Sequence, residues 1–384
     1  MKLLVICNAY PSGASLYRNG FIHRRVKGYM DEGIEVEVFY NHEPVAEAYR
    51  YHFDGVDVVV GNEQALKELV SESDFDAYLV HFAEPSRIRP LQEIATKRPI
   101  IIWVHGFEAE AWYRRWFTFL ESSKSIREAL QKKDRYYSEQ NSFFHGLMTQ
   151  NELDISFVNV SAWFQKYVVE PDNHAEFSDS IVIPNLVDEK LFPYNEKTID
   201  KRLKILTIRP FASTKYANDQ TVNAILELST RPYFDELTFT ICGAGPLFDT
   251  TVAPLRKFSN VKLMDKFFSQ EEIRELHRSH GVFLCPTRFD SQGVSMCEAI
   301  SSGLVAVSSN IAAIPEFVDD GRTGLLAPPE DYVGLADRIE SLYFDHEKFQ
   351  KLSQSGAREM VKQCGQVATI GQEIELVRRK VGAL

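Results

Sequence analysis

Cysteine is scarce in this chain and shows no pairing pattern. Five cysteines (Cys7, Cys242, Cys285, Cys297 and Cys364) are spread over 384 residues. There is no C-x-x-C spacing to suggest a metal ribbon or redox motif, and no even framework of the kind that staples small secreted domains. Several lie in apolar runs, as small hydrophobes do, and the usage suits a reducing cytoplasm. Long apolar runs are also missing: none approaches the roughly 18–20 residues that span a bilayer. The N-terminal stretch Met1–Cys7 is apolar but short, so it reads as a first strand and not as a signal peptide. Cations are in deficit, with 43 Lys and Arg against 54 Asp and Glu for a net charge of −11. That balance argues against a general nucleic-acid binder.

What is present is the composition of a soluble globular protein, 44% hydrophobic and 25% charged. The length exceeds one ordinary core, and two domains of about 180 residues each are the natural expectation. Lys2–Cys7 reads as a strand buried on both faces. A loop ending at Asn19-Gly20 follows, then a helix over Phe21–Glu32 and a second strand over Ile34–Tyr40. This βαβ module implies a parallel sheet. Gly20, at the helix start, is a candidate to offer backbone N–H to a phosphate, although a plain loop-to-helix turn explains it as well. Further strands are expected at Val56–Val60, Ala77–His81, Ile100–His105, Gly146–Met148 and Ser156–Val160. His105 stands at the carboxyl end of an apolar strand, the ligand-binding edge of an open α/β sheet. His81 ends the neighbouring strand and is the weaker candidate. Asp74-Phe75-Asp76 has the D-x-D form of a metal-holding motif but precedes its strand, so it reads as turn chemistry.

The most informative stretch is Pro286–Gly303, PTRFDSQGVSMCEAISSG. It follows the apolar run Gly281–Cys285, and its polar loop leads into a short helical pattern that Gly303 closes. A helix start offers unpartnered N–H groups and a partial positive charge, and Gly293 would let an anion approach it closely. Acids on either side of such an anion, Asp290 and Glu298, must grip hydroxyls. A nucleotide sugar has that pattern, with sugar and ribose flanking a diphosphate. Ser295-x-x-Glu298 is equally a capping-box pattern. Upstream, a strand over Lys204–Ile208 leads to Arg209-Pro-Phe-Ala-Ser-Thr-Lys215, two cations near a strand end. Thr238–Cys242 runs into Gly243-Ala-Gly245, which begins like a dinucleotide fingerprint, but Phe248 replaces the third glycine and weakens a dehydrogenase reading. Strands at Asn260–Met264 and Val305–Ser308 and a helix at Glu271–His280 complete this half.

Acid, seven residues, then Glu, with Gly three after the acid, resembles the signature of the retaining glycosyltransferases of family 4. Here Asp290 replaces the usual Glu, and Ser291-Gln292 the usual Gly-Phe. Pro184-Asn185-Leu-Val-Asp188 resembles that family's domain junction, and Ile314-Pro-Glu316 with Gly321-x-x-Gly324 its tail. The resemblance runs along nearly the whole chain. It implies the GT-B fold: two Rossmann-like domains facing across a cleft, with domain one at 1–183 plus a crossing helix at 366–384 and domain two at 184–365. By resemblance, Arg209 and Lys215 bind the diphosphate with Gly293, Val294 and Ser295, Glu298 holds the ribose, Asp290 and His105 contact the donor sugar, and the loop Asp265–Phe268 seats the base. It also implies closure on donor binding and a front-face mechanism in which a donor phosphate oxygen takes the acceptor proton.

The expected activity is therefore metal-independent transfer, with no cofactor, of a hexose-type sugar from a nucleotide sugar, UDP by preference. The acceptor is a glycan or lipid-linked molecule of the cell envelope. A GT-B epimerase or hydrolase, or a catalytically silent binding subunit, is the alternative. Residues 111–135 reverse the chain's sign, with Trp112, Tyr113, Trp116, Phe117 and Phe119 among Arg114, Arg115, Lys124, Arg127, Lys132, Lys133 and Arg135. They read either as a peripheral contact with an anionic membrane or as an ordinary helical hairpin with its aromatics in the core.

Overall fold

The computed structural model describes residues 1–13 and 18–382. Part of the loop before Asn19 and the last two residues of the expected crossing helix, Ala383 and Leu384, lie outside them. Contacts divide the chain into two units. The first holds Met1–Trp112, Gln131–Leu186 and the residues from Gln366 onward; the second holds Tyr113–Leu130 and Val187–Gly365.

In the first unit the strands are β1 (Lys2–Cys7), β2 (Glu35–Asn41), β3 (Tyr49–Phe53), β4 (Val56–Gly61), β5 (Ala77–His81), β6 (Ile100–Val104), β7 (Ile155–Asn159) and β8 (Ser180–Val182). They form one eight-stranded sheet in the order β3-β4-β2-β1-β5-β6-β7-β8. Every neighbour pair is parallel except the β3–β4 hairpin at the edge. β1 is central, and Leu3 through Cys7 are fully buried because helices cover both faces. Each such aliphatic side chain contributes about 1.5–3 kcal/mol. The order reverses between β1 and β5, and the carboxyl ends of strands at such a switch point are where open α/β sheets bind ligands.

The second unit repeats the plan with β9 (Lys204–Ile208), β10 (Thr238–Cys242), β11 (Val261–Met264), β12 (Val282–Leu284), β13 (Val305–Ser309) and β14 (Leu325–Ala327). Its six strands run in the order β11-β10-β9-β12-β13-β14, all parallel. Here the switch point lies between β9 and β12. The loops leaving those two strands carry Arg209–Lys215 and Pro286–Gly293.

Several expectations change. Gly146–Met148 is not a strand but the last turn of a helix, Ser138–Thr149, whose inward face is Gln140, Phe144, Leu147 and Met148. The contacts place the boundary at Leu186/Val187 rather than near residue 183, and they assign 113–130 to the second unit. The reason is local: Glu121 accepts hydrogen bonds from Ser213 and Thr214. The C-terminal crossing element packs with the first unit but is a π turn, Val367–Gly371, followed by a helix over Gln372–Lys380. The capping box of this region lies at Ser269–Glu272. Ser295 cannot be a cap, because the helix Val294–Ser301 has already begun and its N-cap is Gly293.

Candidate functional site

Arg209 follows β9 and is almost wholly buried. Its Nη1 lies 3.4 Å from Ser295 Oγ and 3.6 Å from Asp290 Oδ2, and its Nη2 lies 3.4 Å from Cys285 O. These contacts are at the long limit of hydrogen bonding, and the Nε has no partner among the described residues. The guanidinium thus keeps most of its capacity for an oxyanion, which it would hold at about 2.8 Å. Arg209 Cζ and Lys215 Nζ stand 5.6 and 5.8 Å from the ring centroid of Tyr216, and the ammonium is also 5.8 Å from that of Phe289. Two cations therefore converge on one aromatic surface beside a helix start.

That helix start has the geometry an anion needs. Gly293 adopts φ 82, the left-handed region that a side chain disfavours. Asp290 Oδ1 accepts from the N–H of Gly293 at 2.9 Å, fixing the turn. Val294 and Ser295 open the helix, and Glu298 lies one turn inside it, buried. Arg209, Asp290, Gly293 and Ser295 are thus in one cluster, with Lys215 joined to it through Tyr216 and Phe289. Gly243 and Gly245 turn out to serve this loop and not a dinucleotide. Gly243 has φ 149, and a Cβ there would overlap the carbonyl of Arg209. The close approach lets Phe211 N–H bond Ala244 O at 2.9 Å and Leu247 N–H bond Phe211 O at 3.0 Å.

In the first unit, His105 Nε2 lies 2.9 Å from His81 Nδ1, and the two rings stack. Burial holds His105 well below the usual histidine range, helped by the Arg25 charge and opposed by a hydrogen bond to Asn185. Burial, the His105 ring and Arg25 do the same to His81, so the pair is neutral near pH 7. The N–H groups of His105 and Gly106 both donate to the Glu108 carboxylate, whose burial pushes it up to about 7 against those bonds. Behind the pair lies a fully buried ion pair, Arg25 Nε to Glu373 Oε1 at 2.9 Å. Tyr29 Oη and Trp103 Nε1 also donate to Glu373, and Arg25 Nη2 donates to Asn185 Oδ1 at 3.1 Å. Gly20 is the first residue of the helix Gly20–Asp31.

Other candidates have structural partners. Asp74 pairs with Arg98 at 2.7 Å, and Asp76 accepts the Lys2 N–H at 2.7 Å, which accounts for the D-x-D. In the segment 113–130, Phe117 is buried, but Tyr113, Trp116 and Phe119 are 48%, 39% and 39% exposed. The helix Ser123–Lys132 buries no residue. Of these aromatics Phe117 is in the core, as in an ordinary hairpin, and the other three are not.

Sequence patterns do not reveal Arg288, Glu121 or the Arg25–Glu373 pair. Arg288 lies inside the motif stretch, but its partners Asp219 and Glu330 are 69 and 42 residues away. No local spacing points to them.

Two α/β units, each a mainly parallel sheet with a switch point, are the halves of a GT-B fold, and the comparisons agree. Superposed on sucrose-phosphate synthase from Thermosynechococcus elongatus, the chain gives a TM-score of 0.76 at 14% identity, covering 100% of both chains. HepE of Anabaena, solved in complex with UDP and glucose, gives 0.64 at 15% identity, again covering 100% of both. N-acetyl-alpha-D-glucosaminyl L-malate synthase of Bacillus anthracis is 23% identical over 337 residues, 84% of this chain and 79% of that protein. Alpha-maltose-1-phosphate synthase of Mycolicibacterium smegmatis is 30% identical over 114 residues, 28% of this chain and 30% of that protein. Residues 202–345 match the model of the family described as glycosyl transferases group 1. The chain has the GT-B fold.

Proposed function

We propose that the protein is a glycosyltransferase that retains donor stereochemistry, needs no metal, and moves a hexose-type sugar from a UDP-sugar to a glycan or lipid-linked acceptor of the cell envelope. The observation that carries the reading is the loosely held, buried Arg209 guanidinium converging with Lys215 beside the Gly293–Ser295 helix start. Cleaving a glycosyl–diphosphate bond leaves additional negative charge on the β-phosphate. Two fixed cations and a helix N-terminus can take that charge where other enzymes use a metal ion. Glu298 is assigned the ribose and Asp290 the donor sugar. His105 is assigned the donor sugar by family resemblance, with Gly20 a phosphate contact. A donor phosphate oxygen accepts the acceptor's hydroxyl proton as the new glycosidic bond forms and the old one breaks. UDP is favoured because HepE was solved with UDP and with UDP-glucose.

A panel of UDP- and GDP-sugars tests the donor by thermal shift. A ligand at about a hundred times its Kd stabilises the folded state by about 2.7 kcal/mol. Larger shifts with UDP-sugars are expected, and a preference for GDP-sugars overturns the base assignment. In turnover, the product's anomeric configuration should match the donor's, and EDTA should leave the rate unchanged. Epimerised or hydrolysed donor formed without acceptor would count against transfer as the principal reaction.

The lipid-linked acceptor is supported by the exposed aromatics of 113–130 and their neighbours Arg114, Lys124 and Arg127, which suit an anionic bilayer surface. Among the described residues no helix is long and apolar enough to cross a membrane. Co-sedimentation with phosphatidylglycerol vesicles should exceed that with phosphatidylcholine. It should also fall at least about tenfold on replacing Arg114, Lys124 and Arg127 with Gln, at ~1 kcal/mol per cation. Equal sedimentation with both lipids would rule the contact out.

A further inference from the structure

Among the described residues, no carboxylate lies within 4.0 Å of the Lys215 ammonium. What is held in place is the turn that carries it. Arg288 is buried, and its backbone N–H donates to Lys215 O at 2.9 Å while its Nη1 donates to Thr214 O at 2.8 Å. The same guanidinium is gripped by Asp219, at 2.8 and 2.7 Å, and by Glu330, at 2.7 and 2.8 Å. With its fork saturated by two carboxylates, Arg288 has no donor left for a ligand and one fixed orientation.

Glu121 holds the same turn through its other polar groups. Its Oε1 accepts from Ser213 Oγ at 3.0 Å and from Thr214 N–H at 3.1 Å. Thr214 Oγ1 donates to Phe117 O at 2.6 Å. A cation thus holds the carbonyls of the turn, and an anion holds its amide and hydroxyl. Glu121 comes from 113–130, a segment flanked in sequence on both sides by residues of the first unit.

We propose that Arg288 and Glu121 are positioning residues for sugar transfer. Neither meets the donor, and each acts only by holding the Ser213–Lys215 turn so that the ammonium stands where the departing diphosphate gathers charge. This rests on the role proposed above for Lys215. A retreat of the ammonium from about 4 to 5 Å weakens diphosphate binding roughly fourfold at an effective dielectric near 20. Loss of a direct charge-assisted hydrogen bond adds to that, so about tenfold weaker diphosphate binding is expected.

The test is a double-mutant cycle read by calorimetric titration with UDP and GDP as probes. Arg288→Lys keeps the charge but cannot reproduce the fork, and Glu121→Ala removes the other hold. Each should weaken binding about tenfold in the wild-type background, and by no more than about twofold once Lys215→Ala is present. Equal losses in both backgrounds would mean general damage, and no loss in the wild-type background would mean no positioning role; either result overturns the proposal. If Lys215→Ala itself binds as tightly as wild type, the role of Lys215 fails and takes the proposal with it. Wild-type protein that binds neither nucleotide overturns both in the same way. Should Arg288→Lys fail to fold, Glu330→Gln replaces it, loosening Arg288 by removing one of its two anionic partners.

Discussion

Lys215→Ala is expected to lower kcat by at least about a hundredfold. One charge pair at about 4 Å contributes roughly 4 kcal/mol at an effective dielectric near 20. Felt mainly in the transition state, that corresponds to about a thousandfold in rate. The site favours the upper end: the ammonium lies over Tyr216 and Phe289, whose rings exclude water from part of its surroundings. Arg209 would remain and supply part of the stabilisation, which sets the lower bound. The measurement is steady-state turnover with saturating donor, and Lys215→Arg should recover part of the loss by keeping the charge. A lysine that merely decorated a solvated loop would leave kcat within about twofold when removed, and that result would end the assignment.

Glu373→Ala is expected to destabilise the protein by about 3–5 kcal/mol, the usual effect of removing one partner of a buried ion pair. Arg25 would be left charged in the core, with Tyr29 and Trp103 losing their common acceptor. Urea unfolding followed by tryptophan emission measures it, since Trp103 reports directly on the carboxylate. The companion Arg25→Met/Glu373→Leu should recover most of the loss, because replacing both charges with apolar groups removes the desolvation cost as well as the attraction. A single variant as stable as wild type would mean that Glu373 does not anchor the C-terminal helix.

Much of this organisation is legible from residue patterns. The central strands are uninterrupted apolar runs, because parallel strands covered on both faces have no polar side to reveal. Arg209 and Asp290 are brought to one donor by the family resemblance, and the structure sets each after a strand at the switch point of one sheet. Other elements resist for definite reasons. Gly146–Met148 resembles a short strand because it contributes the inward residues of a helix end. β3, Tyr49-Arg-Tyr-His-Phe53, does alternate aromatic and polar residues, with Tyr51 and Phe53 half-buried, but at five residues on a half-solvated sheet edge its signal is short. His81 carries a weaker sequence signal than His105, yet the two rings share one hydrogen bond and neither environment can be understood alone. The largest gap concerns charges whose partners are remote in sequence. Arg25 and Glu373 are 348 residues apart, and nothing local marks Glu121 as the acid that meets Thr214.

The visit of residues 113–130 to the second unit has a practical consequence for protein engineering. The polypeptide passes between units at 112/113, 130/131, 186/187 and 365/366. A chimera spliced only at the last two points would import a foreign 187–365 segment while keeping the host's Glu121. The grafted half would then meet an acid selected for a different loop. Exchanges that transplant both pieces together should retain activity where single-piece exchanges lose it.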